Sequence, residues 1–168
     1  MKLAGMLEDL GIASVAGYVG TKAMEPVSMK LYEMESEQAR KQEDEARPGP
    51  PYQVAAQKIF GALGVKLEGK ALQRASMGMH YGLALSWSPV YVLLRRKTGM
   101  TSVGAALTAG TAMSLVADEG ITPLFGFSAP NRDYPLVTHL RGYVAHLAFG
   151  LAVAGTCEVL WALRGRRP

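Results

Sequence analysis

The sequence predicts an all-α fold: an integral membrane bundle of four transmembrane helices, with a helical extramembrane hairpin between the first and second spans. Three observations support this prediction. Residues 75–94 form an apolar run in which only His80 can carry a charge. Two further apolar runs follow, and a charged segment separates all three from a glycine-rich beginning. At 168 residues, the chain is expected to form one membrane domain over residues 1–168.

The second span, residues 75–94, is the best supported. A helix rises about 1.5 Å per residue, so roughly 20 apolar residues cross a hydrocarbon core near 30 Å thick. The run is bounded by Arg74 on one side and by Arg95, Arg96 and Lys97 on the other. A helix on the surface of a water-soluble bundle has a polar face, and this run has none. It therefore predicts a membrane span.

The other three spans are predicted at residues 10–31, 101–119 and 136–163. The third is uncharged until it closes at Asp118 and Glu119, and the fourth is apolar from Gly142 to Cys157 except for one histidine. The first is supported mainly by residues 11–21, because lysine and glutamate follow.

Residues 32–74 are predicted to be a polar helical loop. Opposite charges four residues apart indicate an exposed helix that continues from the first span. These pairs are Glu37–Lys41, Arg40–Asp44 and Glu43–Arg47. Consecutive prolines at Pro50 and Pro51 then end the helix. A second short helix follows from Tyr52, and its apolar face suits either the membrane surface or the end of the bundle.

Small residues recur at four-residue spacing in three of the predicted spans. They are Ala13, Gly17 and Thr21; Ala106, Gly110 and Ser114; and Gly150 with Ala154. In lipid there is no hydrophobic drive between helices, so close backbone approach through small residues favours packing. These faces are expected to pack helices together, and they also allow a homo-oligomer or a membrane-protein partner.

Basic residues predict the orientation of the bundle. The net charge is +4, and the basic residues cluster at the ends of apolar runs, which indicates a lipid bilayer rather than nucleic acid as the partner. Four spans place both termini beside residues 95–97 and the basic tail at Arg164, Arg166 and Arg167. We therefore expect cytoplasmic N- and C-termini, although the long first loop also holds dispersed lysines and arginines. Glu8 and Asp9 interrupt the place where a secretory signal would be apolar.

This topology predicts that most ionisable groups near the bilayer fall in its non-cytoplasmic half. They form a candidate polar cluster: Lys22, Glu25, His80, Asp118, Glu119, His139, Arg141 and His146. Ionisable residues at membrane depth are costly, so they pair or line a cavity. Asp118 or Glu119 is expected to pair with Arg141, with Lys22 as the alternative partner. The plainer interpretation is that the acids mark the water interface and that His80 is a hydrogen-bonded packing residue.

A metal site is a weaker hypothesis. His139 and His146 are seven residues apart and can share a helix face, and His80 with Glu119 could complete a nitrogen and oxygen ligand set. No tight ligand motif supports a metal or haem. Cys157 is the only cysteine, which excludes an intrachain disulfide and a cysteine-based metal site. No catalytic signature occurs either, so no catalytic residue, enzymatic activity or cofactor is predicted.

Four segments carry a resemblance to a known family: GTKAMEPVSMKLYE after the opening glycines; ARPGPP; MHYGLALSWSPVYVLLRR; and ADEGITPLFGFSAPNRDYPLVTHLRGYVAHLAFG. With them the chain resembles the YagU-like family of bacterial multi-pass inner-membrane proteins over roughly residues 5–163. The last segment is the most specific, because Asp118, Glu119, His139, Arg141 and His146 keep a fixed order. The resemblance implies a location and a fold but no reaction.

Three functions fit this sequence. The first is a membrane bundle with a periplasm-facing, titratable pocket that binds or passes protons, a small solute or a lipid headgroup, because burial and neighbouring charges can move pKa values toward working pH. The second is a structural or assembly subunit in which the same charges only fasten helices. The third is a membrane protein with a histidine-ligated metal or haem.

Overall fold

The computed structural model describes residues 3–165, which are mostly helical and contain no strand. The helices are α1 (Leu3–Met34), α2 (Glu37–Ala46), α3 (Pro51–Ala62), α4 (Gly69–Lys97), α5 (Ser102–Met113), α6 (Thr122–Leu124) and α7 (Leu136–Leu163). A π-helical segment, Ser114–Ile121, joins α5 to α6, and a short 3₁₀ turn, Asn131–Asp133, precedes α7. The predicted all-α class is confirmed. Arg166 and Arg167 lie outside the described residues.

Consecutive long helices alternate in direction, so the bundle has two ends. At one end, Asp9 of α1 meets Arg96 of α4 and Trp161 of α7. At the other end, Glu35 after α1 meets Arg141 near the start of α7. We call these the Asp9 end and the Arg141 end. α7 packs against α1, α4 and α5 and therefore lies at the centre of the bundle.

Small residues hold the helices at close distance. All members of the three predicted small-residue faces are buried. Where α5 crosses α7, a methyl group added to Gly110 would collide with the backbone carbonyl of His146, and one added to Gly150 would collide with that of Ala106. The predicted packing role is therefore confirmed within one chain. A homo-oligomer or a partner remains a prediction, and it would need another surface.

The first helix ends earlier than expected. α1 stops at Met34, and Ser36 begins α2 by accepting a hydrogen bond from the backbone N–H of Ala39 at 3.2 Å. Arg40 donates a hydrogen bond to the carbonyl oxygen of Glu33 at 3.3 Å. This carbonyl lies at the end of α1, where backbone carbonyls have no donor within the helix. The prediction of one continuous helix is wrong, because the Ser36 cap begins a separate helix, α2, which runs in a new direction over the Arg141 end.

The second short helix packs on the bundle. α3 buries Ala55 and Ala56 and contacts α4, whereas Ile59 and Leu63 are exposed. Of the two placements that its apolar face suits, the structure therefore shows packing against the bundle. This position brings the first turn of α3 over the Arg141 end.

One helix of the described residues, α7, is long and apolar enough to cross a membrane by length and composition. Its most apolar stretch has a mean hydropathy of 1.5, and 44% of that stretch is buried. The core helix of a water-soluble protein can have the same length and composition. The other long helices fall short for visible reasons. Charged residues and glycine dilute α1, serine and tyrosine dilute α4, and the π-helical segment divides the third apolar run.

Candidate functional site

A cavity of about 570 Å³ opens at the Arg141 end, between α1, α3, α4, the π-helical segment and α7. Seven of the eight residues in the predicted cluster line it: Glu25, His80, Asp118, Glu119, His139, Arg141 and His146. Lys22 does not line it. Its side chain is half exposed, and it reaches the cluster through Glu25, whose Oε2 lies 3.0 Å from Lys22 Nζ, and through the ring of Tyr81, which packs against His80.

Each histidine of the cavity faces a carboxylate from a neighbouring element. The three pairs are His139 Nδ1 with Glu119 Oε1 at 2.8 Å, His146 Nδ1 with Asp118 Oδ2 at 3.4 Å, and His80 Nε2 with Glu25 Oε1 at 3.5 Å. Two of these pairs join α7 to the π-helical segment, and the third joins α4 to α1. An imidazole nitrogen donates or accepts a hydrogen bond according to its tautomer, so each pair places a proton-carrying group beside a carboxylate in the cavity wall.

Backbone carbonyls orient two of these histidines. His139 Nε2 lies 3.0 Å from the carbonyl oxygen of Asn131, and His146 Nδ1 lies 2.8 Å from that of Gly142. A carbonyl oxygen only accepts hydrogen bonds. Each carbonyl therefore favours an N–H on the ring nitrogen that faces it.

Pro123 explains part of this geometry. A proline in a helix has no N–H and clashes with the carbonyl four residues before it, which here is the carbonyl of Glu119. The helix widens into π-helical turns just before the proline. The Glu119 carbonyl instead accepts a hydrogen bond from Asn131 Nδ2 at 2.9 Å. Since the carbonyl of Asn131 faces His139, one asparagine connects both members of the Glu119–His139 pair.

The expected pairing of Arg141 is wrong. Arg141 Nη1 lies 2.5 Å from Glu35 Oε1, and Nη2 lies 2.7 Å from both carboxylate oxygens of Glu43. The guanidinium also lies over the ring of Tyr32, 5.0 Å from its centroid. The α1–α2 turn brings these groups onto α7, while the histidines of α7 take Asp118 and Glu119 instead.

Glu43 is the functional residue that the sequence reasoning missed most clearly. It forms the predicted ion pair with Arg47, but its side chain is fully buried rather than exposed. It also accepts hydrogen bonds from Arg141 and, at 2.9 Å, from Thr138 Oγ1. The available signal was the position of Glu43 between Ala39 and Ala46, which share its face of an otherwise polar helix.

Tyr52 of α3 adds a neutral donor to the cavity. Its ring lies edge-on to His80, with the centroids 4.6 Å apart. Burial, and then the negative charge of Asp118, raise the pKa of the Tyr52 phenol above its usual value. The hydroxyl therefore stays protonated at neutral pH.

A second ion network closes the Asp9 end. Asp9 accepts hydrogen bonds from Arg96 at 2.9 Å and from the indole of Trp161 at 3.0 Å. Glu158 accepts from Arg95 at 2.7 Å and from Tyr91 at 2.8 Å. The sequence reasoning counted the two arginines only as flanking charges, and it overlooked Glu158 because the apolar run was judged to end at the residue before it.

The four proposed metal ligands do not converge. Among residues 3–165, no group of three histidine, cysteine, aspartate or glutamate side chains is arranged to hold a metal ion. His139 and His146 each have a separate acidic partner on the π-helical segment, and His80 belongs to a different pair of helices. The arrangement supplies proton-binding pairs around an open space.

Comparison of the chain with protein-family models, curated proteins and solved structures finds no match.

Proposed function

We propose that this chain is a multi-pass protein of a bacterial inner membrane, with four spanning helices and a polar cavity that binds a small solute from the periplasmic side. The observation that carries the proposal is the cavity of about 570 Å³, in which three histidine–carboxylate pairs meet. The resemblance to YagU-like inner-membrane proteins agrees with this location.

The distribution of apolar side chains supports the membrane. Within residues 3–165, eleven of the nineteen buried apolar residues are alanine and none is leucine, whereas thirteen leucines are exposed. Water-soluble proteins preferentially bury large apolar side chains. Membrane helices instead pack through small residues and present large ones to lipid. Each of the four proposed spans has large exposed apolar side chains, which fit a lipid-facing exterior. Examples are Val15, Leu85, Leu107 and Leu151.

The charged residues of α1 are compatible with this exterior. Lys22 and Glu25 lie toward the Arg141 end of the helix and form an ion pair at 3.0 Å. A lysine near the edge of a bilayer extends its apolar stem along the helix and keeps its ammonium group at the interface. The proposed first span therefore has its hydrocarbon-facing part before Lys22.

The volume of the cavity favours a solute over protons alone. Pockets for small molecules enclose about 300–1,000 Å³, lined mostly by apolar side chains with a few placed polar groups. A proton path needs only a file of water. Met24, Leu83 and Ile59 supply apolar lining, and the titratable pairs supply the polar groups. Protonation of those pairs then changes how the cavity attracts a charged solute.

Cysteine accessibility tests the proposal. In a Cys157→Ala background, Ser28→Cys and Ser128→Cys place thiols in the cavity wall, and Ser88→Cys places one in the fully buried core. A small, membrane-impermeant thiol reagent added to intact cells should label the first two and spare the third. Alkaline carbonate extraction of the same cells should leave the protein in the membrane pellet.

Two results would overturn the proposal. Release of the protein by carbonate would show that it is not integral to a membrane and would refute that part of the proposal. Cavity cysteines as unreactive as Ser88→Cys would mean a closed cluster and would favour the structural-subunit alternative, in which the ion pairs only fasten helices. Proton flux in liposomes, compared between the wild type and Glu119→Gln, separates proton passage from solute binding.

A further inference from the structure

The arginines of the cavity are already neutralised. Arg141 contacts Glu35 and Glu43, and Arg47 forms an ion pair with Glu43. These four charges cancel, and the side chains of Glu35, Glu43 and Arg141 are at least nine-tenths buried. An anionic solute would therefore find no unpaired guanidinium at this site.

Two carboxylates of the cavity have no such neutralising partner. In the described part of the chain, Asp118 and Glu119 form ion pairs with His146 and His139 and with no lysine or arginine. The groups that face this space from the other elements are Tyr52 of α3, His80 of α4, and Glu25 of α1 with its partner Lys22. None of these supplies an uncommitted positive charge, so the charge near Asp118 and Glu119 depends on the protons that the histidines hold.

Hydrogen-bond accounting places a proton on one of these pairs. The two ring nitrogens of His139 face the Asn131 carbonyl at 3.0 Å and the Glu119 carboxylate at 2.8 Å. A neutral imidazole has one N–H, and both facing groups accept hydrogen bonds when Glu119 is ionised. The second hydrogen must therefore lie on His139 as an imidazolium or on Glu119 as a carboxylic acid. Loss of that proton leaves a negative charge opposite a lone pair, which a bound cation would compensate.

The remaining lining selects an organic cation. Met24, Met29 and Met79 contribute polarisable thioethers, and Phe127 and Tyr134 contribute aromatic rings. Such side chains adapt to apolar bodies and attract cations through their π faces. An inorganic divalent ion would need about six oxygen ligands at close range, and the acids of the cavity are spread over separate elements.

We infer that the solute of this cavity is an amphipathic organic cation, which binds beside Asp118 and Glu119 in exchange for the proton that the Glu119–His139 pair holds. The exchange is balanced: one monovalent cation enters, one proton leaves to water, and the site keeps its net charge. The inference rests on the proposed function, because it assumes that the cavity is open to solutes.

Binding of two probes of the same shape and opposite charge tests this inference. Purified protein in detergent is titrated with tetraphenylphosphonium and with tetraphenylborate by calorimetry, from pH 8 to pH 5. Tetraphenylphosphonium should bind saturably at pH 8, and its affinity should fall toward pH 5 by at most about tenfold per pH unit, the slope expected when one proton is displaced. Tetraphenylborate should show no saturable binding. Repeating the titration in buffers of different ionisation enthalpy should reveal proton release with each cation bound.

Matched variants distinguish binding at the site from partitioning of the probe into detergent micelles. Asp118→Asn and Glu119→Gln should each weaken tetraphenylphosphonium binding at least tenfold, and Glu119→Gln should also flatten its pH dependence. Glu45→Gln, an exposed carboxylate on α2 outside the cavity wall, should leave both unchanged. If an acid variant does not fold, His139→Gln provides a second test, because it removes the imidazole that holds the proton with Glu119 and should retain binding at pH 8 while reducing the pH dependence.

Equal binding of both probes, or cation binding that the acid variants leave intact, would overturn the inference. Failure of this inference is distinguishable from failure of the proposed function. If the cavity cysteines react with the thiol reagent but no cation binds, the proposed function stands and the cation inference fails. If the cysteines are unreactive, the proposed function and the cation inference both fail.

Discussion

At the scale of single residues, the site depends on side chains that satisfy backbone groups. Pro123 leaves the Glu119 carbonyl without a helical donor, and Asn131 supplies the missing hydrogen bond at 2.9 Å. The Asn131 carbonyl then faces His139, whose other nitrogen faces the Glu119 carboxylate. A local consequence of one proline therefore fixes the orientation of a titratable pair.

The buried arginine gives the sharpest prediction at this scale. Arg141→Met leaves Glu35 buried with no other ion-pair partner in the described chain. Breaking a buried pair typically costs about 3–5 kcal/mol, because it leaves an uncompensated charge. We expect a loss of that size in the free energy of unfolding in detergent, and we expect Arg141→Met combined with Glu35→Gln to recover part of it.

Two controls accompany this prediction. Arg132→Met removes an arginine whose side chain is 86% exposed, and it should change stability by less than about 0.5 kcal/mol. Glu119→Gln should act additively with Arg141→Met, because Glu119 pairs with a histidine rather than with the arginine. Additivity between Arg141→Met and Glu35→Gln would contradict the observed pairing.

At the scale of helices, small residues at the crossings determine how closely elements approach. The buried face of α1 follows Ile12, Ala13, Ala16 and Gly20, so buried positions recur every three to four residues along the helix. α7 contacts α5 through Gly150, where backbone meets backbone. This close approach brings the histidines of α7 within reach of the π-helical segment.

Glycine substitutions test this packing. Gly110→Ala and Gly150→Ala each place a methyl group against a backbone carbonyl of the facing helix, which cannot rotate away. We expect each to destabilise the protein by at least the roughly 1–3 kcal/mol that is typical of overpacking. Gly155→Ala on α7 meets no atom within 4 Å and should gain up to about 1 kcal/mol from helix propensity. Thermal unfolding in detergent measures all three, and equal effects would contradict the crossing geometry.

At the scale of the whole molecule, the two ends differ in character. The Arg141 end holds the open cavity, and the Asp9 end is closed by salt bridges around Trp161 and Glu158. A solute would therefore enter and leave at one end in this conformation. Passage to the other side would require the Arg95–Glu158 and Arg96–Asp9 contacts to open.

Cysteine labelling checks the orientation of these ends. In a Cys157→Ala background, Gln57→Cys and Arg132→Cys place exposed thiols at the Arg141 end, and Thr98→Cys places one at the Asp9 end. An impermeant thiol reagent applied to intact cells should label the first two and should label Thr98→Cys only after the membrane is opened. The reverse pattern would turn the cavity toward the cytoplasm.

The sequence by itself determined the helical class, the small-residue faces and most of the ionisable groups of the cavity wall. Local rules were sufficient for these features. Helix periodicity identified the positions that became buried, and antiparallel spans required the later half of α1 and the first half of α7 to meet at one end. Glu25, His80, Asp118 and His146 were therefore expected together before any contact was known.

Only the tertiary structure decided which charge meets which. The partners of Arg141, Glu35 and Glu43, are about a hundred residues away in sequence, on a turn that the sequence pattern assigned to solvent. Helical periodicity specifies which side of a helix a residue occupies, but it contains no information about how a hairpin folds over a neighbouring bundle. Ion pairing acts between side chains only a few ångströms apart. The choice among several nearby carboxylates therefore depended on the exact position of α2, which long-range packing determines.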